Sequence, residues 1–181
     1  MTMTLELETM AIEMPEVERH PNRVDFRGVL TLIDVLSDRV PTGGRGHRVV
    51  LTRAAAEEAI PSLLGMALDY SPDLDKHDAR RKVGVITKAD IVGRRLEVSG
   101  YLFGKDFPEI VEEIRSANGS GDGQIAGPNA GQQLGMSYEV TDVRLADIRA
   151  SVWTLIHVTF TGAAVLRRNK AAYEDTWISL T

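Results

Sequence analysis

Ser137 is the residue whose type and setting in this sequence most suggest nucleophilic chemistry. It lies in a segment where apolar and polar residues alternate, and this segment directly follows a long glycine-rich stretch. Because the side chains of a strand point to alternate faces, Met136 and Tyr138 share an apolar face and Ser137 points away from it. A hydroxyl group placed there could attack a substrate carbonyl, but the same pattern also describes an ordinary solvent-facing serine.

A serine hydroxyl becomes a useful nucleophile only when a neighbouring base accepts its proton. The sequence has four histidines that could supply this base. His20 and His47 lie in polar, turn-rich segments. His77 precedes an apolar strand pattern, and His157 lies inside another, where a histidine is most often a hydrogen-bonded core residue. The residues alone therefore leave the choice of base open.

The elements predicted around these residues are mostly strands. Their apolar patterns place strands at residues 24–35, 49–51, 83–86, 96–103 and 152–160. A turn at residues 92–95 pairs two of them as a hairpin, and the last strand is apolar on both faces, which predicts a central position. Thr52 is suited to cap a helix over residues 53–64, and Asp106 a second helix over residues 107–116.

The composition predicts one folded domain with two loose segments. The chain has 181 residues, of which 43% are hydrophobic, and this is enough to bury one core. Residues 1–23 are acidic and contain two prolines, which predicts a flexible N-terminal arm, and residues 24–181 then form the domain. Residues 116–131 are rich in glycine and predict a loop: a flap beside a groove, a tolerated insertion, or a site of self-cleavage.

Charge and residue content disfavour several classes of protein. The formal net charge of -5 and the scattered arginines argue against nucleic-acid binding. The absence of cysteine excludes disulfides and thiolate metal sites, and the histidines lack zinc-ligand spacing, so we expect no metal and no cofactor. No apolar run approaches the roughly 20 residues of a membrane span. We therefore expect a soluble, intracellular protein.

The order of several short motifs resembles a known family. It runs from His77-Asp78 through Gly84-Val85-Ile86, Gly100-Tyr101-Leu102-Phe103 and Gly135-Met136-Ser137 to Phe160-Thr161-Gly162-Ala163-Ala164-Val165-Leu166. This order, over residues 77–173, is similar to that of the head-maturation (prohead) serine proteases of tailed bacteriophages, which share a fold with herpesvirus assemblin. The resemblance implies an α+β fold, mainly an antiparallel β-barrel with peripheral helices.

The resemblance also implies an activity and its residues. Ser137 would be the nucleophile of a serine endopeptidase, His77 its general base, His157 the third catalytic residue and Arg167 a donor to the oxyanion. The substrates would be phage scaffold and major capsid protein, cut inside the immature capsid in the host cytoplasm, with self-association left open. Neither nucleic acid nor membrane is implied as a partner.

One departure from the family pattern leaves the third role open. The phage branch places an acidic residue near the position of Thr154, and threonine has no carboxylate. The candidates are therefore His157 or a carboxylate such as Asp78, Glu139 or Asp142. The same departure motivates an alternative function, a non-catalytic capsid or scaffold-associated protein that keeps the barrel.

Overall fold

The computed structural model describes residues 20–118 and 133–181. The predicted N-terminal arm therefore lies outside the described residues up to residue 19, and the glycine-rich loop does so from residue 119 to its end. Two of the predicted bounds are corrected, because Arg23 already belongs to the first strand and Ser116 still belongs to a helix. The first strand therefore begins one residue earlier, and the loop starts later, than the composition suggested.

The described chain forms one sheet of eight strands with two short helices. The strands are β1 (Arg23–Leu32), β2 (Arg48–Leu51), β3 (Ala67–Tyr70), β4 (Lys82–Val92), β5 (Arg95–Phe103), β6 (Leu134–Leu145), β7 (Val152–Arg167) and β8 (Trp177–Leu180). The helices are α1 (Arg53–Ala59) and α2 (Pro108–Ala117). No helix of the described residues is long and apolar enough to cross a membrane.

Strand β7 is an interior strand, paired along both edges, as the sequence predicted. Along one edge it pairs with β6, antiparallel, and along the other it pairs with β2 and then β3. Both β2 and β3 run parallel to β7. The sheet is therefore mixed: its pairings are mainly antiparallel, as predicted, and the two parallel ones arise because the connections through α1 and through β4 and β5 return the chain to β7 in the same direction.

The predicted hairpin is confirmed as β4 and β5. Val92 pairs with Arg95, and Gly93 between them has a φ of 60°, a left-handed conformation that glycine adopts without strain. Further along the hairpin, a Cβ atom at Gly100 would overlap the backbone carbonyl of Val85. The glycine is therefore needed there so that the two backbones can approach.

Helix α1 starts where the sequence predicted and ends sooner. The Thr52 side chain accepts a hydrogen bond from the N–H of Ala55, and the helix ends at Ala59, where Ile60–Leu63 continues as a 3₁₀ turn containing Pro61. The cap predicted for α2 is wrong. Its N-cap is Phe107, without a side-chain hydrogen bond, because the Asp106 carboxylate accepts from the side chain of Asn22 instead.

The sheet curls into a half-barrel around its apolar core. Its order from one end to the other is β6-β7-β3-β4-β5-β1-β8, with β2 also on β7. The two ends meet where the N–H of Met136 in β6 donates to the Thr176 hydroxyl, just before β8, at 3.2 Å. Phe26, Leu30, Leu68 and Leu102 are among the buried side chains that fill the interior. The opposite face of β6, β7 and β3 carries the candidate site.

Candidate active site

Three neighbouring strands bring Ser137 and a buried carboxylate into one row. Ser137 of β6 pairs with Ala164 of β7, and Ala164 pairs on its other side with Asp69 of β3. Directly paired residues present their side chains to the same face of a sheet. Because neighbouring strands lie about 4.8 Å apart, the Cα atoms of Ser137 and Asp69 are about 10 Å apart. The space between them lies above Ala164.

His77 is held against Asp69 by the loop that joins β3 to β4. The Nδ1 atom of His77 lies 3.4 Å from Oδ2 of Asp69, and the N–H of Asp78 donates to Oδ1 of the same carboxylate at 3.1 Å. Leu74 anchors this loop, since its side chain is fully buried and its carbonyl accepts from the N–H of Arg167 at 2.8 Å. The loop therefore fixes the imidazole over the sheet.

Small residues of β7 leave space for the imidazole. Nδ1 of His77 also lies 3.8 Å from Oε1 of Glu139, a residue of β6, so the ring has partners on the strands to either side of β7. Beneath the imidazole, between Asp69 and Glu139, the residues of β7 are Gly162, which pairs with Glu139, and Ala164. Larger side chains at these positions would occupy the space between β3 and β6. The ring therefore lies over β7, on the side of the sheet that carries Ser137.

Asp69 is ionised in this setting, although its side chain is only 1% exposed. Burial has the largest effect on its carboxyl group and by itself raises the pKa. The hydrogen bonds from His77 and from the N–H of Asp78, with the charges of His77 and Lys82, outweigh burial, so the pKa of Asp69 lies below its ordinary value. Lys82 contributes because its Nζ atom lies 3.4 Å from Oδ2.

The two ring nitrogens of His77 have different surroundings. Nδ1 faces the carboxylate of Asp69, which accepts a proton and donates none, so the neutral imidazole carries its proton on Nδ1. Nε2 is buried and has no hydrogen-bond partner among the described residues. A buried polar atom without a partner is uncommon in a folded protein. Here it is an unprotonated nitrogen able to accept a proton from a hydroxyl group.

The structure does not bring His157 to this group. His157 lies seven residues before Ala164 on β7, a separation of roughly 20 Å at the usual rise of a strand. It pairs with Arg144 of β6, and its Nδ1 atom lies 3.3 Å from a carboxylate oxygen of Glu58 in α1. The prediction that His157 is the third catalytic residue is therefore corrected, because His157 lies too far from Ser137 and His77. Its partner is Glu58 of α1.

The other predicted residues lie at varied distances from Ser137. Arg167 pairs with Leu134, three residue pairs from Ser137, or about 10 Å along the strand, so its oxyanion role stays a prediction. Asp78 contacts Asp69 through its backbone, while its own carboxylate accepts from the N–H of Arg80. Asp142 lies at an irregularity of β6 beyond Glu139.

Asp69 is a candidate site residue that the sequence did not reveal. Asp69 begins a polar, proline-containing segment, residues 69–82, whose composition indicates a connection between strands. The structure instead places Asp69 in β3 between the buried side chains of Leu68 and Tyr70. The alternation of apolar Leu68 and Tyr70 around Asp69 is a strand pattern, and it could have indicated that the acid lies in a strand. Thr154, where the family pattern has an acid, lies at the other end of β7, opposite Val50.

The comparisons with known proteins give likenesses among solved structures and none among sequences. No family model and no curated protein matches the sequence. Among solved structures, a KSHV protease in complex with a hexapeptide phosphonate inhibitor matches with a TM-score of 0.37 and 11% sequence identity. The match covers 79% of this chain and 59% of the other. Among the described residues, no group of three or more His, Cys, Asp or Glu side chains is placed to hold a metal ion.

Proposed function

We propose that the protein is a hydrolase, a serine endopeptidase whose catalytic residues are Ser137, His77 and Asp69. The observation that carries this proposal is the environment of the two ring nitrogens of His77. Its Nδ1 atom faces a buried, ionised carboxylate, and its buried Nε2 atom has no partner among the described residues. This is the arrangement that a general base needs, and the ring lies above the strand that separates Asp69 from the serine.

The proposed mechanism is acyl transfer in two steps. The Ser137 Oγ atom attacks the substrate carbonyl and forms the new C–O bond, while Nε2 of His77 takes the hydroxyl proton. The same proton then passes to the leaving nitrogen as the C–N bond breaks. In the second step water attacks the acyl carbon while His77 takes its proton, and the ester C–O bond breaks as that proton passes to the Ser137 Oγ atom. Asp69 stays ionised throughout, holds the Nδ1 proton and stabilises the imidazolium.

The oxyanion of the tetrahedral intermediate needs a hydrogen-bond donor. We infer that it comes from the end of β7 or from a backbone N–H beside Ser137, with Arg167 as the side chain to test. Removing one such donor from an acyl-transfer enzyme costs roughly 3 kcal/mol of transition-state stabilisation. The contacts of Asp69 with His77 support the assignment of the general base. The oxyanion donor is a separate part of the proposal.

For the biological role, we propose phage head maturation, with scaffold and major capsid protein as the substrates. The support is the order of motifs from His77-Asp78 to Gly135-Met136-Ser137, which resembles the prohead proteases. The site of action would be the immature capsid in the host cytoplasm. The alternative, a non-catalytic capsid or scaffold-associated protein, was motivated by Thr154. Because Asp69 offers a carboxylate from another strand, we favour the endopeptidase.

The hydrolase proposal is tested without knowledge of the substrate. A fluorophosphonate probe phosphonylates an activated serine hydroxyl, so the purified protein should be labelled and Ser137→Ala should not be. His77→Ala should lose labelling by a factor of at least about 10². Ser151→Ala is the matched control, because Ser151 is exposed in the turn before β7, and its labelling should equal that of the wild type. Equal labelling of all four proteins, or of none, would reject the activated serine.

The biological proposal needs a second experiment. The wild type, Ser137→Ala and His77→Ala are each incubated with the scaffold and capsid proteins of the same phage, and fragments are identified by mass spectrometry. Cleavage by the wild type alone would support head maturation. If the wild type reacts with the probe and yet leaves both proteins intact, also when they are assembled, the hydrolase survives and the maturation role fails.

A further inference from the structure

Two charged residues of opposite sign surround the pair of Asp69 and His77, and neither is part of the mechanism above. Lys82 begins β4, and its Nζ atom lies 3.4 Å from Oδ2 of Asp69. Glu139 lies on β6, and its Oε1 atom lies 3.8 Å from Nδ1 of His77. Both side chains are partly exposed, whereas Asp69 is buried. Each is therefore within reach of the reacting groups and open to solvent.

Lys82 competes with His77 for a single oxygen atom. Nδ1 of His77 and Nζ of Lys82 both lie 3.4 Å from Oδ2 of Asp69, and Oδ1 is taken by the N–H of Asp78. A cation that shares the carboxylate reduces the stabilisation that Asp69 gives to a protonated imidazole. Lys82 should therefore weaken His77 as a base.

Glu139 acts in the opposite direction, and Gly162 makes its position possible. Gly162 of β7 pairs with Glu139, and a Cβ atom added there would lie 2.7 Å from Oε2 of Glu139. The missing side chain lets the carboxylate lie across β7 toward His77. A negative charge at this distance stabilises the protonated imidazole. Glu139 should therefore strengthen His77 as a base.

Two further charged groups near His77 are engaged elsewhere, while Asp75 and Lys76 lie in the same loop. The carboxylate of Asp78 accepts from the N–H of Arg80, and Arg81 is paired with Glu109 of α2. Strand β7 contributes no titratable side chain beneath the ring, only small residues. With neutral His77, the charges of Asp69, Lys82 and Glu139 leave one net negative charge, and protonation of the imidazole neutralises the group. This balance suits a base that becomes a cation during the reaction.

We propose that Lys82 and Glu139 are positioning residues that set the base strength of His77 in opposite directions, Lys82 through the carboxylate of Asp69 and Glu139 from across Gly162. This inference rests on His77 being the base of the proposed hydrolase. It assigns no bond-making step to either residue. The two act only through the charge and orientation that they impose on the imidazole.

The test follows the imidazole directly by NMR, in the full-length protein, with the His77 signal assigned from its absence in His77→Ala. In Glu139→Gln the midpoint of the His77 titration should fall, and in Lys82→Met it should rise, each by about 0.2–0.7 pH units for partly exposed pairs. The double variant should return close to the wild-type midpoint. The controls are Glu58→Gln, beside His157, and Lys88→Met, which pairs with Asp90 at the surface.

Gly162→Ala keeps the inference testable if a charge variant fails to fold. The added methyl group should displace the Glu139 carboxylate, so the midpoint should fall as in Glu139→Gln, and combining the two changes should add little. Shifts of the same sign in Lys82→Met and Glu139→Gln, or shifts no larger than those of the controls, would overturn the inference.

The two proposals fail in distinguishable ways. A protein that reacts with the fluorophosphonate and shows no opposed shifts would keep the hydrolase and lose the positioning residues. A protein that shows the opposed shifts and never reacts with the probe would lose the hydrolase, and the charges would then surround a histidine with no catalytic role. In the reactive protein, the acidic limb of the pH profile of labelling should move with the NMR midpoint.

Discussion

Replacing Asp69 by asparagine gives the sharpest test of how the site works. The two carboxylate oxygens have different partners: Oδ1 accepts from the N–H of Asp78, and Oδ2 faces Nδ1 of His77 and Nζ of Lys82. An asparagine offers one oxygen and one NH₂ group. In either orientation of the amide, the NH₂ group faces at least one donor. Asparagine therefore cannot reproduce the native hydrogen bonds, although its size is nearly the same.

The expected losses follow from this mismatch. A buried donor left without an acceptor costs about 1–3 kcal/mol of folding free energy. If the NH₂ group faces His77, Nδ1 must act as the acceptor, and the proton moves to Nε2, the nitrogen that should receive the proton of Ser137. The same change in the chymotrypsin triad lowers turnover by about 10⁴, so we expect fluorophosphonate labelling of Asp69→Asn to slow by roughly 10³–10⁴.

The stability of Asp69→Asn should also change with pH in a defined way. Because the pKa of Asp69 is lower in the folded protein than the ordinary value of 3.8, the carboxylate stabilises the fold above pH 3.8. That contribution is lost as the pH falls through the lower pKa of the folded state. The difference in unfolding free energy between wild type and Asp69→Asn should therefore shrink as the pH falls below 3.8.

The assay combines labelling rates from pH 5 to 9 with urea unfolding at several pH values. Asp142→Asn is the matched control, because Asp142 has a φ of 51°, a left-handed conformation that asparagine also tolerates, and lies away from the imidazole. Asp142→Asn should behave as the wild type in both measurements. Labelling of Asp69→Asn at the wild-type rate, with unchanged stability, would refute the assignment of Asp69 as the partner of His77.

Three further predictions concern the sheet that carries the site. Gly100→Ala should destabilise the protein by more than about 3 kcal/mol in urea unfolding, because its Cβ atom would overlap the Val85 carbonyl; a smaller loss would show that the hairpin can open. Thr176→Val should cost about 1–3 kcal/mol, since the buried N–H of Met136 loses its acceptor, and unchanged stability would contradict the contact. His157→Ala should retain wild-type labelling of Ser137, and a loss in a folded variant would restore His157 as a catalytic candidate.

Local patterns were sufficient to predict the elements whose partners are close in sequence. The hairpin of β4 and β5 was predicted from alternation and from the turn at Gly93, and the cap of α1 from Thr52. These features depend on residues a few positions apart. The interior position of β7 was also predicted, from apolar residues on both of its faces, although one of these residues, Ile156, is 47% exposed.

The parallel pairings and the acidic partner of His77 could not be predicted in the same way. Strand β3 has four residues and contains an acid, and only its place beside β7 makes that acid buried. The charge of Asp69 is tolerated through contacts supplied by the following loop and by Lys82. An acidic residue in a sequence indicates an exposed position, because burying a carboxylate is unfavourable. The hydrogen-bond donors that make burial possible here cannot be recognised from the sequence.

The row from Ser137 through Ala164 to Asp69 also has a consequence for the order of folding. Asp69 and Ala164 are roughly 95 positions apart, and the parallel contact between their strands closes a long loop, which makes it a late event. A ribosome must therefore complete β7 before the carboxylate, imidazole and hydroxyl can occupy one surface. If Ser137 is the nucleophile, as proposed, the growing chain could not react before that length has been synthesised.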